Sequence, residues 1–225
     1  MTTFIGPLAQ ESTPSIIAEK LRQAIGHGEL KPGAQLGEAE LARKLGVSRG
    51  PLREGMQRLT QEGLLVAIRN RGLFVREMTP DDVRDMYMAR EVVERAAARK
   101  IIAGDHAAAG DVLLAIVERM AAAQTPAEVS EIDIGFHERL VQLAGSPRLS
   151  RMHQTFITET RMCIHALDET YAKSEVRGEE HRALANAIRS GDRDLTDRLL
   201  GAHMDDAIVR LTDGPVVDGA EIARA

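Results

Sequence analysis

Cysteine, tryptophan and long apolar segments are scarce in this sequence. Its 225 residues include one cysteine, Cys163, and no tryptophan, and aromatic residues make up 3%. A single cysteine excludes an internal disulfide framework and fits a reducing compartment. No apolar run approaches the ~18–20 residues that a membrane-spanning helix needs, and the first residues lack both segments of a secretory signal. With 44% apolar residues but few rings, the composition predicts a cytoplasmic protein of helices packed on aliphatic side chains.

Negative charge dominates the chain as a whole, but its two halves differ in sign. The formal net charge is −5. Residues 1–80 contain 11 Lys and Arg against 8 Asp and Glu, whereas residues 81–225 contain 18 against 26. Within residues 40–76 the balance is 8 against 3. A basic concentration on an acidic protein suits a phosphate-binding surface, although a solvated basic face would have the same charge.

The first domain, predicted to span residues 1–78, has the pattern of three short helices followed by a β-hairpin. Thr13 is expected to cap the first helix. The second helix is "EAELARKLG", and only Val47 separates its final glycine from Ser48, the expected cap of a third helix that runs to about Glu62. Two short helices joined so tightly form a helix-turn-helix, and the β-prone runs in "LLVAIRNRGLFVRE" predict a wing.

Basic side chains concentrate around that third helix and at the tip of the wing. A helix that enters the DNA major groove N-terminus first presents its leading turns to base edges and phosphates. Arginine suits this role because its planar guanidinium can bind guanine or a phosphate through two hydrogen bonds. The Ser48 hydroxyl could serve both as cap and as DNA contact. The predicted DNA-binding residues are Arg43, Ser48, Arg49, Gly50, Arg53, Arg69 and Arg71.

The stretch "GEAELARKLGVSRGPLREGMQRLTQEGLLVAIRNRGLFV", preceded by the turn "GELKPGAQL", resembles the winged helix-turn-helix of the GntR superfamily of bacterial transcription regulators. The likeness extends over residues 13–76. It implies that Arg49 and Arg53 read or grip an operator, assisted by Ser48 and the wing arginines. Gly55 departs from the alanine that is usual in the family, at a cost of about 1 kcal/mol in helix propensity.

Residues 79–225 predict a second domain that is entirely helical. Helical periodicity starts after Thr79, a suitable cap followed by proline, and five further helices are expected at 107–123, 126–144, 147–171, 174–190 and 192–212. The expected fold class is therefore mostly α, with an N-terminal winged helix-turn-helix followed by an antiparallel six-helix bundle. Arg90 and Glu94 fall on the buried stripe of the first bundle helix. Two interpretations remain open: a buried ion pair, or an arginine that faces a pocket and binds an anionic ligand.

Four side chains that can bind metal ions recur on inward faces of the bundle helices. In "DIGFHERL", Asp133 and His137 lie at i, i+4 beside the apolar stripe, and His181 and His203 align with apolar residues of the last two helices. A lone inward histidine is more often a hydrogen-bonded core residue than a ligand. Four such groups would each need a buried partner, whereas a single divalent ion could satisfy all of them. The remaining histidines, interpreted as structural or surface residues, are His27, His106, His153 and His165.

The segments "YMAREVVERAAARKIIA", "DIGFHERL", "EEHRALANAIRSGD" and "AHM" resemble the FCD effector domain of the FadR subfamily of GntR regulators. This resemblance implies a homodimer, and an organic-acid effector that completes the coordination of a metal ion and is faced by Arg90. Arg161 is a further candidate for binding an anionic group of the effector. Zinc is the metal expected first, with nickel or manganese as alternatives. The implied metal ligands are Asp133, His137, His181 and His203.

Together these features predict a metabolite-responsive regulator, expected to be a repressor, that binds a short palindromic operator in double-stranded DNA and has no membrane partner. One alternative is a regulator that senses the metal itself, or in which the metal is only structural. A metal-dependent hydrolase is a rival from another class, since an Asp and His site with open positions can activate water. Glu138 and Glu180 neighbour metal ligands in sequence but point ~100° away around their helices, so neither is placed as a general base. The chain is therefore not expected to be an enzyme.

Overall fold

The computed structural model describes residues 12–166 and 174–212. This part of the chain divides into two compact units between Glu77 and Met78, one residue before the boundary expected from the sequence. The predicted fold class is confirmed, because helices dominate and the only sheet among the described residues is a small hairpin in the first unit. No helix within the same residues has both the length and the apolar character needed to span a membrane.

The first unit contains three helices and a two-stranded antiparallel sheet. Their bounds are α1 Thr13–Gly26, α2 Glu38–Leu45, α3 Arg49–Gln61, β1 Leu65–Ile68 and β2 Gly72–Val75. Leu52, Met56 and Leu59 form the buried face of α3, which packs against α1 and α2. The predicted cap of α1 was wrong by one residue. Ser12 has the extended backbone of a cap, and its hydroxyl oxygen accepts from the backbone N–H of Ser15.

A close approach between α1 and α3 explains the glycine at position 55. A Cβ on Gly55 would lie 2.9 Å from Cγ2 of Ile17 and 3.1 Å from the carbonyl oxygen of Pro14. A β-branched side chain has few alternative rotamers, and a backbone oxygen cannot rotate away. Close packing of α1 therefore offsets the helix propensity that the glycine loses in α3.

The second unit is a bundle of six helices. Their bounds are α4 Pro80–Ile102, α5 His106–Ala122, α6 Pro126–Leu143, α7 Pro147–Ala166, α8 Ser174–Ser190 and α9 Arg193–Thr212. The expected extension of α7 to residue 171 falls outside the described residues. Thr79 caps α4 as predicted, because its hydroxyl accepts from the N–H of Asp82 while the Asp82 carboxylate accepts from the N–H of Thr79.

Aliphatic side chains fill most of the bundle interior, but several polar groups are buried with them. The helix α4 lies against α6, α7 and α9, and α8 lies against α5 and α9. Charged side chains are rarely buried unless they are paired. The presence of charged side chains in this interior therefore identifies this part of the bundle as a candidate functional site. The buried polar residues on facing helices include Arg90, Glu94, Asp133, His137, His153 and His181.

The helices α5 and α8 come closest at Gly110. A Cβ on Gly110 would lie 2.6 Å from the Cα of Arg189, a backbone atom of α8. No side-chain rotation can relieve such a contact, so the two helices would have to separate. The absence of a side chain at Gly110 therefore allows α8, which carries His181, to pack closely against α5.

We expect Gly110→Ala to lower the free energy of unfolding by about 1–3 kcal/mol, because the added methyl overpacks the contact between α5 and α8. Gly135→Ala is the matched control. Gly135 lies inside α6 with nothing within 4 Å of an added Cβ, so alanine should stabilise the bundle by up to about 1 kcal/mol through helix propensity. Urea unfolding of both variants measures the difference, and equal effects of the two substitutions would contradict the close approach.

Candidate metal centre and DNA-binding surface

Four side chains from α6, α8 and α9 converge in the bundle interior. They are Asp133, His137, His181 and His203, and the ligand atoms that they offer all lie within 4.8 Å of one another. Nε2 of His137 lies 3.1 Å from Nε2 of His203 and 3.3 Å from Nε2 of His181. Nε2 of His181 lies 3.1 Å from Oδ1 of Asp133. The helical phase of each residue thus brings groups from three helices to one point.

Two carboxylates outside the cluster orient its imidazoles. Nδ1 of His137 lies 2.6 Å from Oε2 of Glu94. An ionised carboxylate only accepts hydrogen bonds, so this Nδ1 carries the proton and Nε2 presents its lone pair to the cluster. Nδ1 of His203 lies 3.4 Å from Oε2 of Glu180, so a carboxylate also contacts this ring on the side away from the cluster. The lone pair on Nε2 of His137 faces the other ring nitrogens of the cluster, where either an N–H donor or a cation can be its partner.

Burial and neighbouring charges together set the protonation of His137 and Asp133. Burial lowers the pKa of His137 to about 3, although the Glu94 carboxylate acts in the opposite direction. Burial acts to raise the pKa of Asp133, but the neighbouring imidazoles of His181 and His137 outweigh it and hold this pKa below its ordinary value. His137 therefore offers a neutral nitrogen and Asp133 a negative oxygen, which are the protonation states that metal binding requires.

A divalent ion fits this donor set. Zinc binds imidazole nitrogen at ~2.0–2.1 Å and carboxylate oxygen at ~2.0–2.2 Å, so neighbouring ligand atoms around it stand roughly 3–3.5 Å apart. The contacts of 3.1 and 3.3 Å between cluster atoms have this spacing. Imidazole also suits nickel, copper and iron, and carboxylate suits manganese. The donors thus match divalent transition metals as a class.

Arg90 and Glu94 form the buried ion pair that one interpretation of the sequence predicted. Nε of Arg90 lies 2.6 Å from Oε1 of Glu94, and the two side chains are 2% and 0% exposed. Burial acts to raise the pKa of Glu94, but His137 and Arg90 hold it well below its usual value, so the carboxylate is ionised. Nη2 of Arg90 is nevertheless buried and has no hydrogen-bond partner within residues 12–166 and 174–212. Arg90 thus forms one fixed ion pair through Nε, and its Nη2 group remains available to donate a hydrogen bond to a ligand.

Glu94 has a third partner on another helix. Nε2 of His153, from α7, lies 2.9 Å from Oε1 of Glu94, and His153 is 2% exposed. This contact agrees with the interpretation of His153 as a structural residue, and it shows that the hydrogen-bond partner of His153 is Glu94. A single carboxylate therefore connects the imidazole of His137, the guanidinium of Arg90 and α7.

A small cavity adjoins the cluster. Its volume of about 10 Å³ is roughly the space of one water molecule. On its outer side, Arg210 forms ion pairs with Glu180 and Asp206, and all three side chains are partly exposed. Charged surface groups therefore close the cavity, whereas Arg90 lies at its buried end. The lining residues are Tyr87, Arg90, Asp133, Glu180, His203, Asp206, Ala207 and Arg210.

The other candidates lie apart from this cavity. Arg161, predicted to bind an anion, is not among the lining residues, and its Nη2 lies 3.2 Å from Oε2 of Glu131. His27 is exposed, and His106 is half-buried with Nδ1 3.0 Å from the carbonyl oxygen of Arg189. The side chain of His165 falls outside the described residues.

The start of α3 presents polar and basic groups to solvent. Arg49, Gly50 and Arg53 are exposed in its first turns, and Arg43 is exposed near the end of α2. Nε of Arg53 lies 2.7 Å from a carboxylate oxygen of Glu38. The dual role predicted for the Ser48 hydroxyl was wrong in one part. The backbone of Ser48 is extended as in a cap, but its hydroxyl makes no capping hydrogen bond among the described residues.

The wing is a hairpin with arginines at its tip. Strand pairing runs from Leu65 opposite Val75 to Ile68 opposite Gly72. Arg69 and Arg71 are exposed on the connecting turn. The guanidinium carbon of Arg71 lies 5.5 Å from the centroid of the Phe74 ring. This cation–π contact holds one of the two arginines against the wing.

The succession of these elements matches known bacterial proteins. Residues 15–75 match the model of the bacterial regulatory proteins of the gntR family, and residues 85–206, more than half of the chain, match the FCD domain. The chain belongs to the GntR family. This membership makes it a DNA-binding transcription regulator with an FCD domain and not an enzyme.

Individual GntR relatives are similar over both units. An HTH-type transcriptional regulator of Streptomyces ambofaciens is 31% identical over 193 residues, which are 82% of this chain and 79% of that protein. A "Probable D-xylose utilization operon transcriptional repressor" of Paenarthrobacter nicotinovorans is 26% identical, with 88% of each chain covered. The solved structure of a GntR transcriptional regulator from Rhodococcus sp. RHA1 is 28% identical with a TM-score of 0.78, covering 92% of this chain and 100% of that one.

Sequence reasoning missed the outer partners of the cluster in this GntR protein. The sequence pattern indicates Glu94 only as a partner of Arg90, but this carboxylate also contacts His137 across the gap between α4 and α6. The pattern indicates Glu180 only as a neighbour of His181 in sequence, yet it contacts His203 on the following helix. Periodicity tells which face of a helix is buried, whereas these contacts depend on how neighbouring helices are aligned along their axes.

We expect Glu94→Gln to weaken zinc binding by ~10–100-fold, because the amide removes the charged acceptor that fixes His137. Competition with a chromophoric zinc chelator measures the affinity. Glu138→Gln is the control, since Glu138 follows His137 in α6 but lines a surface groove between α5 and α6. Wild-type zinc affinity in Glu94→Gln would contradict the orienting role of the carboxylate.

Proposed function

We propose that this GntR regulator binds a small organic acid at a divalent metal ion in its FCD domain, and that this binding changes its affinity for DNA. The observation that supports the proposal is the convergence of three imidazoles and a carboxylate beside the spare Nη2 of Arg90. The ligands of the ion are Asp133, His137, His181 and His203. Zinc is the metal expected first, with nickel or manganese as alternatives.

The buried charges next to the ion favour an anionic effector. Arg90 and Glu94 compensate each other, so a divalent ion beside Asp133 leaves a net charge of about +1 among the buried groups, whereas Arg210 with Glu180 and Asp206 adds about −1 on the outer side of the cavity. When bound, the ion supplies Lewis-acidic positions for a carboxylate and for a neighbouring hydroxyl or keto oxygen. Arg90 then donates to another oxygen of the effector through Nη2. Arg161 is the weaker candidate, because Glu131 already occupies its guanidinium.

The DNA-binding form is a cytoplasmic homodimer on a short palindromic operator. Two copies of α3 must match the half-site spacing of such an operator. An effector that binds one arrangement of the dimer better than another therefore changes DNA affinity. Coupling of about 1–3 kcal/mol, or roughly 5–150-fold in affinity, is typical of such switches. Repression is the proposed direction, in line with the name of the Paenarthrobacter relative, a D-xylose utilization operon repressor.

DNA contact is assigned to the exposed groups of the first unit. Arg49 and Arg53 at the start of α3 are placed to reach base edges or phosphates, as expected for a recognition helix. The ion pair of Arg53 with Glu38 is partly exposed, so exchange of this carboxylate for a phosphate costs little. The complete proposed set is Arg43, Ser48, Arg49, Gly50, Arg53, Arg69 and Arg71.

Metal sensing is a second candidate function, and the size of the cavity favours it. A space of about 10 Å³ holds a single water and no organic acid. In this version the metal ion is itself the signal, and its loss or binding changes DNA affinity. The two versions differ in whether operator binding responds to carboxylates once the metal is bound.

We expect about one metal ion per chain in the purified protein, and none in the double variant His137→Ala, His181→Ala. Operator binding should persist in this variant, because the first unit is unchanged, but it should no longer respond to short carboxylates such as lactate, malate and citrate. Elemental analysis and fluorescence anisotropy with an operator fragment measure the two properties.

Two other outcomes would lead to different conclusions. Absence of metal from the wild type, with unchanged operator binding and response in the double variant, would make these histidines ordinary core residues. Operator binding that follows metal content but ignores every carboxylate would select metal sensing.

We expect Arg49→Ala to weaken binding to the operator by about 1–3 kcal/mol, the usual loss for an arginine that contacts bases or phosphates. Arg119→Ala is the matched control, because Arg119 is an exposed arginine of α5 in the bundle and its removal changes the net charge equally. Anisotropy titrations at one fixed salt concentration compare the variants. Similar losses of DNA affinity in both variants would show that Arg49 contributes only through the net charge of the protein.

A further inference from the structure

A carboxylate stands on the surface of the first unit that is expected to meet DNA. Glu38 is the first residue of α2, and its Oε2 lies 2.7 Å from Nε of Arg53, in the second turn of α3. DNA is a polyanion, so a negative group at this place is repelled by the phosphates. Two roles can offset that repulsion: a favourable charge at the start of α2, or an effect on Arg53.

The contact with Glu38 leaves the end of the guanidinium of Arg53 free. The carboxylate binds Nε, and Nη1 and Nη2 make no hydrogen bond within the described residues. The side chain of Arg53 is 63% exposed. Arginine binds O6 and N7 of a guanine through two parallel N–H groups. An arginine held at Nε can therefore still offer its two terminal nitrogens to a base.

The segment before α2 is fixed against the wing. The backbone N–H of Leu36 donates to the carbonyl oxygen of Leu73 in β2 at 2.8 Å, and the side chain of Leu36 is buried. Nε2 of Gln35 donates to the carbonyl oxygen of Arg71 at the tip of the wing. Glu38 follows this segment directly. Its backbone therefore has a defined position relative to the wing, and so has the arginine that it binds.

Arg49 differs from Arg53 in this respect. It lies one turn earlier on the same face of α3 and is exposed, and no carboxylate of residues 12–166 and 174–212 forms an ion pair with it. A free side chain can adjust to a phosphate, whereas base reading needs a defined geometry. An arginine that is already held in place also loses less side-chain entropy when it binds.

We propose that Glu38 positions Arg53 so that the terminal nitrogens of this arginine read a guanine of the operator. Glu38 thereby contributes to sequence specificity without contacting DNA. This inference rests on the proposed function, which assigns Arg53 to DNA contact. The ion pair is exposed enough to open, but while it is closed Glu38 compensates the charge of Arg53. The pair then gains little from a phosphate, whereas the hydrogen bonds to a guanine are retained.

The test starts from a duplex that the full-length wild type selects from a library of random double-stranded DNA. Each base pair of the selected duplex is substituted in turn, and anisotropy titrations at one fixed salt concentration give the affinity for every duplex. We expect a guanine whose substitution weakens binding by the wild type roughly 5–150-fold, the value of a bidentate arginine contact. Arg53→Ala should remove the preference for this guanine.

Glu38→Gln should reduce the preference for the same guanine by ~2–10-fold, because Arg53 must then be immobilised during binding. Glu40→Gln is the matched control. Glu40 also lies in the first turn of α2, and its ion pair with Lys44 at 2.8 Å stays within that helix. The control removes an equal charge from the start of the same helix, and it should keep the wild-type preference.

The double variant Glu38→Gln, Arg53→Ala separates positioning from every other effect of the carboxylate. Without the arginine there is nothing for Glu38 to position, so the double variant should have the same base preferences as Arg53→Ala. A change in base preference that Glu38→Gln causes equally with and without Arg53 would contradict the inference.

Other results would also overturn the inference. An unchanged guanine preference in Glu38→Gln, with or without tighter binding to all duplexes, rejects positioning and leaves DNA contact by Arg53 intact. An equal loss in Glu40→Gln assigns the effect to charge at the start of α2. A uniform loss of affinity for all duplexes in Arg53→Ala makes this residue a phosphate contact, so only the inference fails. Wild-type affinity for every duplex in Arg53→Ala rejects the proposed DNA contact as well.

Discussion

The buried carboxylate of Glu94 is the group on which the arrangement of the bundle interior depends. It is 0% exposed and has partners on three helices: Arg90 on its own helix α4, His137 on α6 and His153 on α7. An isolated carboxylate in such a place would be strongly disfavoured, so each partner helps to keep it ionised. Because the hydrogen bonds are directional, they define how α4 aligns with α6 and α7, and the aliphatic side chains then pack around that alignment.

The geometry of the metal cluster follows from the same interaction. Glu94 accepts from Nδ1 of His137, and this fixes the ring so that Nε2 points at His181 and His203. The remaining oxygen positions the guanidinium of Arg90, whose Nη2 has no partner in the part of the chain that the structure describes. The proposed metal ligation and anion recognition therefore share one network of hydrogen bonds, so a substitution in this network is expected to affect both.

Much of this molecule could be predicted from the sequence because the decisive patterns are local. Helical period and capping residues define the six bundle helices, and the phase of Asp133 and His137 in α6 directs both inward. The contacts of Glu180 with His203 and of Gly55 with Ile17 were not predictable, since they depend on which residues of separate helices come to lie opposite each other.

The spacing of the cluster along the chain has a consequence for how much regulator a cell contains. His137 is 44 residues from His181 and 66 residues from His203. An ion shared by these side chains closes long segments of chain, as a cross-link would, and its binding free energy counts toward folding. In the proposed metal-bound form, metal supply therefore also sets the fraction of molecules that survive proteolysis, and so the amount of regulator in the cell.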